Sequence, residues 1–246
     1  MNTYPTLTAV AIPNSYAPAL PIACRDQRNG YNALQNVPEW CTRLMNQAEQ
    51  AGAWTTGIES DKKQRGSAIN CDLYGYDPAQ GLAVVQVRQA IFHPRRFTQV
   101  RKDYYLIGTT ESGGFFAHPI ESPARSKKAM ETPESCVRYV LSKIWNCREQ
   151  DLVDIERQGD VALVPVTRLP NSARPLINGE AVTIRDTHRL TGDIWRDSDG
   201  TLYTRRGARL VHTKGQHAPV KAKAGLYRVQ PGIRATTWGF TAPHGD

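Results

Sequence analysis

"RLVHTKGQHAPVKAKAGLYRV", residues 209–229, holds two short segments of β character either side of Lys214-Gly215. Both hold valine, leucine or tyrosine between turn signals, as short strands do. Read outward, the same pattern fills the chain from Gln158 onward. Strands are predicted at "GDVALVPV" (159–166), "AVTIRDTHRL" (181–190), "ARLVH" (208–212) and "GLYRVQ" (225–230). "DIWRDSDGTLYTR" (193–205) reads as a hairpin folded at Asp199-Gly200. Short strands with turn signals between them predict a small all-β barrel or sandwich over residues 153–246.

The preceding part is mixed. "VPEWCTRLMNQAEQAG" (37–52) is a predicted helix: Pro38 suits its first turn and Gly52 stops it. "TTGIESDKKQRGSAI" (55–69) reads as an exposed loop. "LAVVQVRQAIF" (82–92), "DYYLIG" (103–108) and "FFAHP" (115–119) are predicted strands, the last two joined as a hairpin. "TPESCVRYVLSKIWNC" (132–147) is a predicted helix, capped by Thr132, whose Val137, Val140, Leu141, Ile144 and Trp145 share an apolar face. The fold class is therefore α+β: an extended arm (1–36), a domain with two helices and an antiparallel sheet (37–152), and the β-rich domain.

A chain of 246 residues with 40% hydrophobic and 22% charged content can bury a substantial core. No apolar run approaches the roughly eighteen residues that span a bilayer. The first residues lack the basic start and unbroken apolar core of a signal peptide. A soluble cytoplasmic protein without membrane contact is expected. The five cysteines match no zinc or redox spacing, so reduced thiols are expected.

The net charge of +8 is localised. Between Asp199 and Asp246 there is no acidic residue, but Arg205, Arg206, Arg209, Lys214, Lys221, Lys223, Arg228 and Arg234 lie there. A second acid-free window, 78–102, interleaves Arg95, Arg96, Arg101 and Lys102 with Phe97 ahead of Tyr104 and Tyr105. Concentrated positive charge is the footprint of a polyanion-binding surface. Cations between aromatic faces suit single-stranded nucleic acid. RNA is favoured over DNA as the partner, and an acidic protein is the alternative.

Strand alternation also yields a candidate site. Read as one strand, "AVTIRDTHRL" puts Val182, Ile184, Asp186, His188 and Leu190 on its inward face. "ARLVH" likewise aligns Ala208, Leu210 and His212, with His217 beyond the turn. Asp186, His188, His212 and His217 would thus converge on a divalent metal such as zinc, iron or manganese. Without metal, His188, His212 and His217 would act as acid and base in RNA cleavage, with Lys214 stabilising the phosphate charge. A structural hydrogen-bond cluster is the plain alternative.

The last third of the chain resembles a group of small bacterial and phage proteins with a recurring pattern. It runs Q-G-D-V, then G-H-x-H, then H-E-E-H-A-P, then G-x-Y-x-V. The matching residues are "QGDVALVPV" (158–166), "DTHRL" (186–190), "HTKGQHAPV" (212–220) and "GLYRV" (225–229). Asp186 stands at the first histidine of the pattern, and the acidic pair is replaced by residues 213–216. The resemblance implies that His188, His212 and His217 recur for a reason, and it carries no activity. No nucleotide-binding, Gly-x-Ser-x-Gly or His-Glu-x-x-His motif is present.

The expected function is a nucleic-acid-associated, RNA-binding or RNA-processing protein. A metal-dependent enzyme of cupin-like type is one alternative, although the close His-x-His and Glu order of that fold is absent. A non-enzymatic phage or bacterial structural or interaction protein is the other.

Overall fold

A computed structural model describes residues 36–51, 66–92, 99–109, 115–176, 181–215 and 217–233. The expected N-terminal arm up to residue 35, together with Arg95, Arg96, Phe97 and Arg234, lies outside the described residues. Chain contacts define two compact units, one containing the described residues up to Val140 and one spanning Leu141–Ile233.

In the first unit, α1 (Glu39–Gln50) precedes four strands: β1 (Gly66–Asp77), β2 (Leu82–Phe92), β3 (Gln99–Thr109) and β4 (Phe115–Ile120). They pair in chain order as an antiparallel meander. Cys41, Leu44, Met45 and Ala48 of α1 form one core with Leu73, Val85, Val87, Tyr105 and Ile107 of the sheet. The loop expected over 55–69 is corrected at its end, because residues 66–69 belong to β1. There β1 gains a full ladder from β2, and pairing outweighs the weak strand propensity of Gly66-Ser67. The β1–β2 turn is held by Asp77, whose carboxylate accepts from the amides of Ala79 and Gln80 at 2.9 and 3.2 Å.

The second predicted helix is α2 (Pro133–Ile144), which begins in the first unit. Thr132 Oγ1 accepts from the Ser135 amide at 3.1 Å, and Ser135 Oγ accepts from the Thr132 amide at 2.9 Å. The two residues satisfy each other's free donors, as a capping box does. Its first turn comes so close to β1 that a Cβ on Gly75 would stand 2.6 Å from the Pro133 carbonyl oxygen and 2.4 Å from Cys136 Cβ. Glycine is required there by close approach.

Burial pushes the thiols of Cys41 and Cys136 up to about 12, and that of Cys147 to about 11. Since the thiolate is the reactive form, alkylation of Cys41 and Cys136 in the native protein near pH 8 is expected to run at least about 100-fold slower than after denaturation. Time-resolved mass spectrometry with iodoacetamide checks this; equal native and denatured rates would refute the burial.

The second unit is built from short strands. They are β5 (Glu156–Gln158), β6 (Val161–Val166), β7 (Arg174–Pro175), β8 (Val182–Ile184), β9 (His188–Thr191), β10 (Ile194–Arg196), β11 (Leu202–Arg205), β12 (Arg209–His212), β13 (Val220–Lys221) and β14 (Leu226–Pro231). They form a six-stranded sheet in the order β5-β6-β14-β11-β10-β7 and a four-stranded sheet in the order β13-β12-β9-β8. Val161, Leu163, Ile194, Tyr227 and Val229 of the first share a core with Ile184, Leu190 and Leu210 of the second. The β-rich prediction therefore resolves as two packed open sheets, without a closed barrel among the described residues.

One reading from strand alternation needs correction. "AVTIRDTHRL" is not a single strand but the hairpin β8–β9, in which Ile184 pairs with His188. Arg185 and Asp186 both take left-handed backbone conformations, φ +47° and +59°, which reverse the chain. Asp186 tolerates this conformation well and therefore occupies an exposed turn, not an inward strand face. His188 keeps its inward direction because its parity with Leu190 is unaffected.

No helix among the described residues is long and apolar enough to cross a membrane.

Candidate functional site

The four-stranded sheet sorts its side chains by register. Its inner row Val182, Leu190, Leu210 and Val220 runs across all four strands and packs on the shared core. The next inner row is Ile184, His188 and His212. His188 and His212 are thus direct cross-strand partners at the end of an apolar face, and each is only 2% exposed. Their rings meet edge to face with centroids 4.9 Å apart. His217, half-buried on the loop after β12, packs edge to face on His212 at 5.4 Å.

The β5–β6 hairpin closes the cluster. Its two-residue turn is Gly159-Asp160, with Gly159 at φ +55°. A Cβ on Gly159 would meet His217 Nε2 at 3.0 Å and His188 Nε2 at 3.5 Å. Gln158, buried just before the turn, donates from Nε2 to the carbonyl of Ala218 at 2.6 Å and so holds the histidine loop. Asp160 Oδ1 lies 3.7 Å from His188 Nδ1, while its Oδ2 accepts from Arg185 Nη1 at 2.7 Å. Arg185 also donates to the Gly232 carbonyl at 2.7 Å. The turn residue Arg185 thereby braces the carboxylate that faces the cluster.

Burial holds the His188 imidazole below its ordinary titration range. Asp160 opposes that shift, and the neighbouring His212 and His217 reinforce it. His188 Nδ1 and Thr187 Oγ1 are 3.0 Å apart, and His188 Nε2 is buried without a hydrogen-bond partner. His212 Nδ1 accepts from the Lys214 amide at 3.3 Å, which places the proton of a neutral His212 on Nε2. The Lys214 side chain itself is exposed.

Three of the four residues expected at a metal site are therefore together, and Asp186 is not with them. The carboxylate beside the imidazoles is Asp160. Its signal was the Q-G-D-V pattern: Gln158 pins the loop, Gly159 leaves room for the rings, Asp160 faces His188 and Val161 enters the core. Among the described residues no group of three or more His, Cys, Asp or Glu is posed to hold a metal ion as the side chains stand, and the three rings lie edge to face.

The outer face of the same sheet is a second candidate. Register places Thr183, Arg189 and Val211 in one outer row, and Thr191, Arg209 and Lys221 in the next. Arg189, Arg209 and Lys221 are exposed, and none forms an ion pair among the described residues. No carboxylate occupies either row. Arg209 and Lys221 face each other directly, an arrangement that is unfavourable unless an anion screens it.

The remaining expected basic contacts divide. Arg205 pairs with Asp193 at 2.6 Å and lies over the Trp195 ring, and Lys223 pairs with Glu156. Arg206 is exposed in the turn before β12. In the first unit, Lys102 is exposed on β3 opposite Arg88, and Arg101 precedes it on the same strand. Arg189 was not among the expected contacts, although alternation along 181–190 already placed it outward.

Residues 157–231 match the model of a domain of unknown function, DUF8820. The match begins within β5 and ends with the last residue of β14, so it covers both sheets and the histidine cluster. Neither a curated protein nor a solved structure matches the chain.

Proposed function

We propose that this is a nucleic-acid-associated protein that holds phosphates across the outer face of β13-β12-β9-β8. The observation that carries the reading is the set Arg189, Arg209 and Lys221, in adjacent register positions without a carboxylate or an ion-pair partner. Like charges fixed side by side destabilise one another until an anion arrives, and a phosphate backbone supplies anions at suitable spacing. RNA is the favoured polymer, because its unpaired bases can lie against exposed guanidinium planes. The reading is binding without cleavage: two of the three histidines are buried, and a general base must reach the proton it removes.

Fluorescence anisotropy with a labelled single-stranded RNA of about 20 nucleotides tests it. Three cations neutralising single-strand phosphates give a log K that falls with log salt at a slope of roughly −2. A flat salt dependence, or binding to polyglutamate but not RNA, would overturn the reading. The second outcome would make an acidic protein the partner.

A further inference from the structure

We infer that His188, His212 and His217 bind one divalent transition-metal ion between the β5–β6 turn and the β9–β12 pair, with zinc the best-suited ion. The His188 ring already has the division of labour of a metal ligand. Its Nδ1 is next to Thr187 Oγ1 and Asp160 Oδ1, while its buried Nε2 has no hydrogen-bond partner. In ligating histidines one nitrogen takes the ion and the other is oriented by an oxygen. A buried nitrogen with nothing to bind is otherwise unfavourable. Gln158 Oε1, at the same turn, is a second buried acceptor without a partner.

The rings also converge. Nε2 of His188 and Nε2 of His217 both approach the point where Gly159 would carry a Cβ. Metal–nitrogen bonds of about 2.0–2.1 Å set the centres of imidazoles that share one ion roughly 5 Å apart. The observed centroid separations are 4.9 and 5.4 Å. The rings therefore have the spacing of a shared ion, and ring rotation supplies the orientation. His212 must also move its proton to Nδ1 and release the Lys214 amide, a bond of 3.3 Å. Three imidazoles without a thiolate suit zinc and its neighbours in the first row, and not magnesium or calcium. Three protein imidazoles leave the fourth position of a tetrahedral zinc to a solvent molecule, so this is not the four-ligand set of a closed structural site.

The test uses untagged, full-length protein stripped with chelator and titrated with zinc by calorimetry and thermal denaturation. One equivalent should bind, and the melting temperature should rise by about 5 °C or more at excess zinc. His188→Ala removes a core side chain and can unfold the unit, so the deciding variant is His217→Gln on the half-buried loop. It should fold normally in chelator and bind zinc at least about 10-fold more weakly. Cobalt substitution should give the intense visible bands of a low-coordinate nitrogen site. Absent uptake, uptake unchanged by His217→Gln, or only the pale spectrum of hydrated cobalt would each overturn the inference. None of these outcomes bears on RNA binding by the opposite face.

Discussion

Replacing Arg189, Arg209 and Lys221 together by glutamate is expected to weaken RNA binding by about 100-fold or more at roughly 50 mM salt. The substitution removes three positive charges from adjacent positions on one outer face and installs three negative ones. All three side chains are exposed and unpaired, so the melting temperature should stay close to that of the parent protein. The salt slope should collapse with the affinity, since each phosphate-contacting cation lost reduces it by about 0.7 on a single strand. Reversing Arg205 and Lys223 instead removes charges already neutralised by Asp193 and Glu156, and should cost much less affinity. Equal losses per reversed charge from the two sets would show that binding follows net charge and not this face.

The second large effect is on stability. Gly159→Val should destabilise the second unit by about 3 kcal/mol, from a branched side chain in a left-handed conformation and from crowding of the cluster. The clash is with ring nitrogens of His217 and His188, 3.0 and 3.5 Å from the new Cβ. Gly215 has a comparable backbone, φ +68°, with nothing within 4 Å of its Cβ position. Gly215→Ala should therefore show only the conformational cost, about 1 kcal/mol. Urea denaturation of Gly159→Val, Gly159→Ala and Gly215→Ala separates the two contributions. Gly159→Ala no more harmful than Gly215→Ala would mean that the rings yield freely to a methyl group.

The parts of this fold legible in the sequence are those where period and punctuation agree. Residues 82–92, rich in valine and set off by Gly81, read as one long strand, and β2 takes those bounds. Thr132 followed by Pro133 announced α2, which starts where that pair places it. Strands of two or three residues, such as β5, β7 and β13, carry too few positions for any period to register. They exist because a neighbouring strand supplies hydrogen bonds.

The histidine cluster was legible for the same reason that the core was: His188 and His212 share parity with Leu190 and Leu210. The carboxylate was not. An unbroken ten-residue strand placed Asp186 inward, whereas two left-handed residues fold that segment into a hairpin and turn Asp186 out. The true neighbour, Asp160, is 28 residues away in sequence from His188, and only the pairing of β5 with β6 presents it. The basic face has a mixed origin. Charge density located its region, but only register distinguishes Arg209 and Lys221, which share a face with Arg189, from Arg205 and Lys223, which are paired elsewhere.

The most direct test of nucleic-acid binding by this sheet is amide chemical-shift mapping of the full chain as single-stranded RNA is added. Shifts are expected to concentrate at Thr183, Arg189, Thr191, Arg209, Val211 and Lys221 and to weaken as salt rises. Shifts confined to the first unit, or a spectrum unchanged at RNA excess, would contradict it.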